Sequence, residues 1–112
     1  MTSRTSRPKM PSDIVLAKTA SLFAAFANEG RLRAVVALAK NGPMPVAALE
    51  DVCGLEQSAL SHQLRILRTE ALVVTERRGK QVVYALADDH IASILEDGLH
   101  HARERARKGS DS

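Results

Sequence analysis

The hydrophobic period of this chain changes between Glu70 and Leu72, and that change restricts its fold more than any other feature. Before it, Leu60, Leu64 and Leu67 recur at i, i+4 and i+7, the stripe of a helix packed on one side. After it, Leu72 to Arg78 and Gln81 to Leu86 are rich in Val, Thr and Tyr, which suit strands. Gly79-Lys80 separates the two runs, and a Gly-X pair at such a place predicts a hairpin of the type II′ kind.

Helical signals occupy the remainder. Ser12 is a good N-cap with Asp13 behind it, and Ile14, Leu16, Ala17, Ala20, Phe23 and Ala24 follow at helical spacing. That helix is expected to fray near Asn28. A second is expected from about Gly30 to Lys40, stopped by Asn41-Gly42-Pro43. A short helix, about Val46 to Val52, ends at Cys53-Gly54, and the next runs from Glu56 to Glu70. After the hairpin, Asp88 and Asp89 cap a long final helix that carries Ile91, Ile94, Leu95, Leu99 and Ala102 as far as Gly109. Helix, helix, short helix–turn–helix, hairpin and long helix make a mainly α fold with a β-hairpin, the winged helix–turn–helix order. Residues 1–11, with two prolines and several Ser, Thr and Arg, read as a disordered basic arm. Residues 12–108 are then the folded domain, and 109–112 a disordered tail.

At 112 residues the chain makes one domain. With one Tyr, two Phe and no Trp its core must be thin and aliphatic, and a second copy is expected to lend it surface. Apolar runs such as Ala34 to Ala39 fall far short of the ~20 residues a membrane span needs, so no membrane partner is expected. Nothing apolar follows Arg4, Arg7 and Lys9, and Cys53 stands alone. A secretory signal, a disulfide framework and a cysteine metal cage are therefore excluded, and the chain reads as cytoplasmic.

The net charge of +3 is unevenly spread. Both tails are basic and the middle is acidic, except that residues 57–80 carry Arg65, Arg68, Arg77, Arg78 and Lys80 against Glu70 and Glu76. A basic segment within an acidic body is the footprint of a polyanion-binding surface, although solvated helix faces produce such clusters too. A DNA-reading helix hides one face and exposes small polar and basic side chains on the other. Gln57, Ser58, Ser61, His62 and Arg65 form that outer set: Gln suits adenine, Arg suits guanine, and Ser suits phosphate or base. Arg77, Arg78 and Lys80 at the hairpin tip distinguish this arrangement from an ordinary surface helix, since a charged tip beside a polar helix can straddle a phosphate backbone.

The run from Leu55 to Arg68 (LEQSALSHQLRILR) resembles the recognition helix of the ArsR/SmtB family of metal-responsive repressors. So do Ala71-Leu72-Val73 and the Arg78-Gly79-Lys80 tip, while Leu22 to Ala27 and Arg31-Leu32-Arg33 are similar to the family's first two helices. The likeness covers about residues 14–105. It departs at Asn28-Glu29-Gly30, where the family often has Asp-Pro, and at Ala71, where it often has Gly. The resemblance implies a homodimer built on the first and last helices, binding double-stranded operator DNA with an imperfect inverted repeat.

The last helix holds a second constellation: Asp88, His90, His101 and Glu104. His90 and His101 lie about 20° from the same face but about 16–17 Å apart along the axis, so one chain cannot close both on one ion. Two half-sites at opposite ends of a helix invite an antiparallel partner, with Asp88 and His90 of one chain meeting His101 and Glu104 of the other. As ordinary structure, the aspartates are helix caps and the histidines complement the helix dipole. The resemblance implies the metal reading, because Asp-x-His and His-x-x-Glu match the last-helix site of the family's zinc sensors. Two imidazoles and two carboxylates suit Zn(2+), with Co(2+) the usual stand-in. His101 is then also expected to reach a backbone carbonyl around Arg68 to Leu72, at the end of the recognition helix. His100 is a spare candidate, expected to be exposed. Cys53 is expected to be buried packing.

Three functions remain in play. The first is a repressor that zinc releases from DNA. The second is a regulator of the same family answering a non-metal signal, its last helix only a dimerisation element. An enzyme is the third and is disfavoured: there is no HExxH pattern or phosphate loop, and four protein ligands leave zinc no open position.

Overall fold

The computed structural model describes residues 9–111. Residues 1–8 of the expected basic arm, and Ser112 of the expected tail, lie outside them; Lys9, Met10 and Pro11 form no helix or strand. The elements run α1 (Asp13–Phe26), α2 (Glu29–Asn41), β1 (Met44–Pro45), α3 (Val46–Cys53), α4 (Gln57–Thr69), β2 (Val73–Arg78), β3 (Gln81–Leu86) and α5 (Asp89–Asp111). This is a winged helix–turn–helix, with the strands ordered β1-β3-β2 in one antiparallel sheet.

Local chemistry sets the boundaries. The Ser12 hydroxyl accepts from the Val15 N–H at 3.2 Å and opens α1, and the Asn28 side chain accepts from Arg31 N–H at 3.0 Å to open α2. Asp88 opens α5 in the same way, its Oδ1 accepting from Ile91 N–H at 3.1 Å. Gly54, in the left-handed region at φ 68°, ends α3 and makes the turn into α4. Arg78 pairs with Gln81 around Gly79-Lys80, and Gly79 alone of the two has positive φ (63°), the backbone pattern expected of a type II′ turn.

Two features differ from the expectations. The strand Met44–Pro45, which pairs with Tyr84 and Val83, is two residues long, too short to carry a period. The helix α5 also passes through Gly109 to Asp111. Glycine weakens a helix by only about 1 kcal/mol, and no proline follows to force a stop.

The core is aliphatic and, among the described residues, holds no buried polar side chain. At its centre α2 contacts α1, α3, α4, α5 and β3, presenting Ala34, Val35, Ala37 and Leu38. Leu60, Leu64 and Leu67 of α4 pack into it, as do Leu49 and Cys53 of α3 and Ile91 and Leu95 of α5. By contrast α1 buries only Ala25 and leaves Ile14, Val15, Leu16 and Phe23 exposed. The radius of gyration is 17.7 Å, against about 13 Å for a compact chain of this length. Such a form suits a protomer that completes its packing against another copy.

The end of α4 is a Schellman turn. Leu72 N–H donates to Leu67 carbonyl (2.9 Å) and Ala71 N–H to Arg68 carbonyl (3.0 Å), with Leu67 and Leu72 both buried. The left-handed residue is Ala71, at φ 59°, where glycine is usual. Ala71→Gly is therefore expected to stabilise the protein by about 0.5–1 kcal/mol, the relief of left-handed strain less the entropy glycine gains on unfolding. Urea unfolding measures this, with a higher midpoint at unchanged slope.

Candidate DNA interface and metal half-sites

The leucine stripe of α4 turns its other side outward. Gln57, Ser58, Ser61, His62 and Arg65 are all exposed, as their positions in the sequence predict. The helix–turn–helix angle is held from behind: Arg33 Nη1 donates to the Cys53 carbonyl at 3.1 Å, beside the Gly54 turn. On the wing Arg77, Arg78 and Lys80 are exposed as well. Successive strand residues face opposite sides, so Arg77 and Arg78 offer charge on both faces of the hairpin. Arg78 lies 3.7 Å from Glu76, but both side chains are about half exposed. Such a pair is worth at most about 1 kcal/mol and does not commit the arginine.

Between α4 and the wing lies a cleft of about 430 Å³, lined by Ser61, Arg65, Arg68, Thr69 and Tyr84. Neither Arg65 nor Arg68 forms an ion pair among the described residues. Two unpaired guanidiniums, the Ser61 hydroxyl and a phenol around an open cleft are donors suited to phosphate oxygens, while the Thr69 hydroxyl already donates to the Arg65 carbonyl at 3.0 Å. Sequence reasoning placed Ser61 and Arg65 on the interface but not Arg68, Thr69 or Tyr84. The i, i+4, i+7 spacing of Ser61, Arg65 and Arg68 was a usable signal; Tyr84 reaches the cleft only because β3 is the middle strand.

The four metal candidates fall into two groups, as their spacing requires. Asp88 and His90 stand at the start of α5, His101 and Glu104 about 16–24 Å further along it, and within one protomer no three potential ligands gather among the described residues. Asp88, His90 and His101 are exposed. Glu104 engages neighbours other than His101: its carboxylate lies 3.3 Å from His100 Nε2 and 3.8 Å from Arg107. These contacts are solvent-exposed and weak. The donor set, two imidazoles and two carboxylates, fits a tetrahedral cation only when two protomers contribute.

The first candidate pair adjoins the end of α4. Asp88 and His90 line a cavity of about 480 Å³ with Lys18 and Leu22 of α1 and with the segment from Thr69 to Leu72. A hydrogen-bonded path joins them too, since Ala87 N–H donates to the Leu72 carbonyl at 3.0 Å, one residue before Asp88. Within a protomer it is His90, rather than the expected His101, that lines this cavity with the end of α4.

Cys53 is buried beside α2. Burial pushes its thiol pKa up, and the nearby Arg33 guanidinium pulls it part of the way back. A raised thiol pKa keeps the group protonated and unreactive.

A polar-faced helix behind a tight turn and a basic wing beside it are the parts of a winged helix–turn–helix regulator. The family model described as "Bacterial regulatory protein, arsR family" matches residues 28–74. The HTH-type transcriptional regulator NmtR of Mycobacterium tuberculosis is 44% identical over 98 residues, covering 87% of this chain and 81% of its own. A transcriptional repressor SmtB homolog of Synechocystis is 37% identical over 101 residues, covering 90% and 76%. The homodimeric winged helix–turn–helix DNA-binding domain of Mb0332 from Mycobacterium bovis superposes with a TM-score of 0.76 at 26% identity, covering 90% of this chain and 95% of that one. The chain belongs to the ArsR/SmtB family of metal-responsive transcriptional repressors.

Iodoacetamide at neutral pH is expected to label Cys53 at least tenfold more slowly in the folded protein than in denaturant. Because the folded pKa is raised, the thiol's contribution to stability is complete at neutral pH and declines as pH rises through that pKa. Mass spectrometry of the labelled chain reads the first expectation, and unfolding at alkaline pH the second.

Proposed function

We propose that this protein is a zinc-responsive repressor that binds operator DNA as a homodimer and leaves it when zinc binds. The observation that carries the reading is the position of the Asp88–His90 half-site, in one cavity with the end of the recognition helix. Two copies of α4 would enter major grooves about one helical turn apart on an imperfect inverted repeat. Gln57, Ser58, Ser61, His62 and Arg65 would face base edges and nearby phosphates, with Arg77, Arg78 and Lys80 along the flanking backbone. The exposed apolar side of α1 and the long helix α5 would form the dimer.

Asp88 and His90 of one protomer, with His101 and Glu104 of the other, would hold the ion at two equivalent sites. Zinc, with cobalt as stand-in, would supply a fixed tetrahedral link among these donors. To bind it, Glu104 would leave His100 and Arg107. Asp88 carries the added constraint of the α5 cap. The dimer arrangement that brings the half-sites together and the one that spaces the recognition helices need not coincide. If they differ, each ligand weakens the other by the same factor, about 5–150-fold.

One observation favours a second reading. Glu104 and Asp88 already have structural partners in His100, Arg107 and the α5 backbone, as expected if α5 only dimerises and the signal is not a metal.

Zinc titration is expected to give two ions per dimer. Asp88→Asn, which keeps the helix cap, and His101→Ala should each abolish tight binding, while Cys53→Ser retains it. Stoichiometric zinc should weaken operator binding by wild type; unchanged or tighter binding would select the second reading. On DNA, Arg65→Ala should cost about 1–3 kcal/mol of specific binding if it reads a base. Lys80→Ala and Arg68→Ala should weaken all sequences alike and lower the salt slope by about one each. Equal, sequence-independent losses from all three would make Arg65 a phosphate contact.

A further inference from the structure

Arg31 and Gln63 are 32 residues apart in sequence and meet behind the recognition helix. Arg31 lies in the first turn of α2, and its guanidinium is shared. Its Nε donates to the Ala25 carbonyl at 2.7 Å, in the last turn of α1, and its Nη1 donates to Gln63 Oε1 at 3.1 Å. The backbone N–H of the same residue is held by Asn28, so both ends of Arg31 are fixed. A cation at the carbonyl end of α1 complements that helix's dipole.

Gln63 is confined from a second direction. A β-carbon added at Gly30 would stand 3.1 Å from Gln63 Nε2 and 3.2 Å from Asn28 Oδ1, inside ordinary contact distance. The carboxamide therefore lies against bare backbone on one side and the guanidinium on the other. Around the α4 axis Gln63 is about 140–160° from Ser58, Ser61 and Arg65, about 120° from Gln57 and about 100° from His62. It grips the flank of the helix opposite Ser58, Ser61 and Arg65.

We propose that Arg31 and Gln63 are positioning residues that set the rotation of the recognition helix against α1 and α2, and hence its discrimination among DNA sequences. The leucine stripe holds α4 against the core, but apolar contacts are non-directional and tolerate small rotations. A charge-assisted hydrogen bond to a residue itself tied to two other elements is directional. Because α1 carries the exposed apolar side chains Ile14, Val15, Leu16 and Phe23, the clasp also connects that face to the reading helix. The inference rests on the DNA-binding reading given above.

The test compares affinity for the duplex that wild type selects from a randomised pool with affinity for a random duplex. Gln63→Leu removes the acceptor at similar volume and should lower this ratio at least tenfold, with random-duplex affinity and salt slope within twofold of wild type. Gln63→Glu keeps an acceptor for Arg31 and should hold the ratio within threefold. Gly30→Ala keeps both partners while displacing the carboxamide, and should lower the ratio severalfold; it serves in place of Gln63→Leu if that variant does not fold. A ratio within twofold of wild type in Gln63→Leu, or in Gly30→Ala used in its place, would overturn the clasp and leave DNA reading intact. So would an equal loss in Gln63→Glu and Gln63→Leu. A wild type that selects no sequence would overturn the DNA-binding reading and the clasp with it.

Discussion

Burial of Leu60, Leu64 and Leu67 is the constraint on which the rest of this molecule depends. Their exposures are 0%, 1% and 0%, and each burial is worth about 1.5–3 kcal/mol, a large part of the 5–15 kcal/mol by which small domains are stable. The stripe can be covered only by a surface that comes close, and Ala34 and Ala37 of α2 give that approach. With one side of α4 committed to α2, the other is committed to solvent. The polar residues from Gln57 to Arg65 are exposed because the leucines are not. The interface follows from packing.

The same division explains the distribution of charge. No charged side chain among the described residues is fully buried, and the ion pairs that form are exposed ones of little energy. Arg65 and Arg68 make no ion pair, although the acidic residues of the chain outnumber the basic ones through much of its middle. Guanidiniums left unpaired beside an open cleft need lose no partner before meeting a polyanion.

Much of this was legible in the sequence because it rests on short-range rules. The leucine spacing, Ser12 and Asp88 as caps, the Gly54 turn and the Gly79-Lys80 hairpin each involve residues a few positions apart. What was not legible involves pairs brought together by the fold. Nothing near Arg31 announces Gln63, and Tyr84 joins Arg65 and Arg68 only through sheet order. Glu104 is a case of close alternatives: His101 at i−3 and His100 at i−4 are both within reach on a helix, and spacing cannot choose between them. Ala71 was visible as a departure from the family's glycine, yet its left-handed backbone became evident only with the Schellman turn in place.

That turn bears on how a signal at one end of α5 could be felt on the DNA side. The last turn of α4 is bonded to Leu72 through the Leu67 carbonyl, and Leu72 is bonded to Ala87, which leads directly into Asp88. Two backbone hydrogen bonds thus separate the reading helix from the start of α5. Leu72 links the two bonds, and Ala71 just before it in the chain is held in a conformation that alanine disfavours by about 1–2 kcal/mol. A strained residue beside this path lowers the cost of rearranging the turn at the end of α4 relative to an unstrained one. Displacement of Asp88 and His90 would therefore be taken up first at Glu70 to Leu72. The Arg31–Gln63 contact ties the same helix to α1 and α2 at a separate point, so the end of α4 and its flank are held by different parts of the fold.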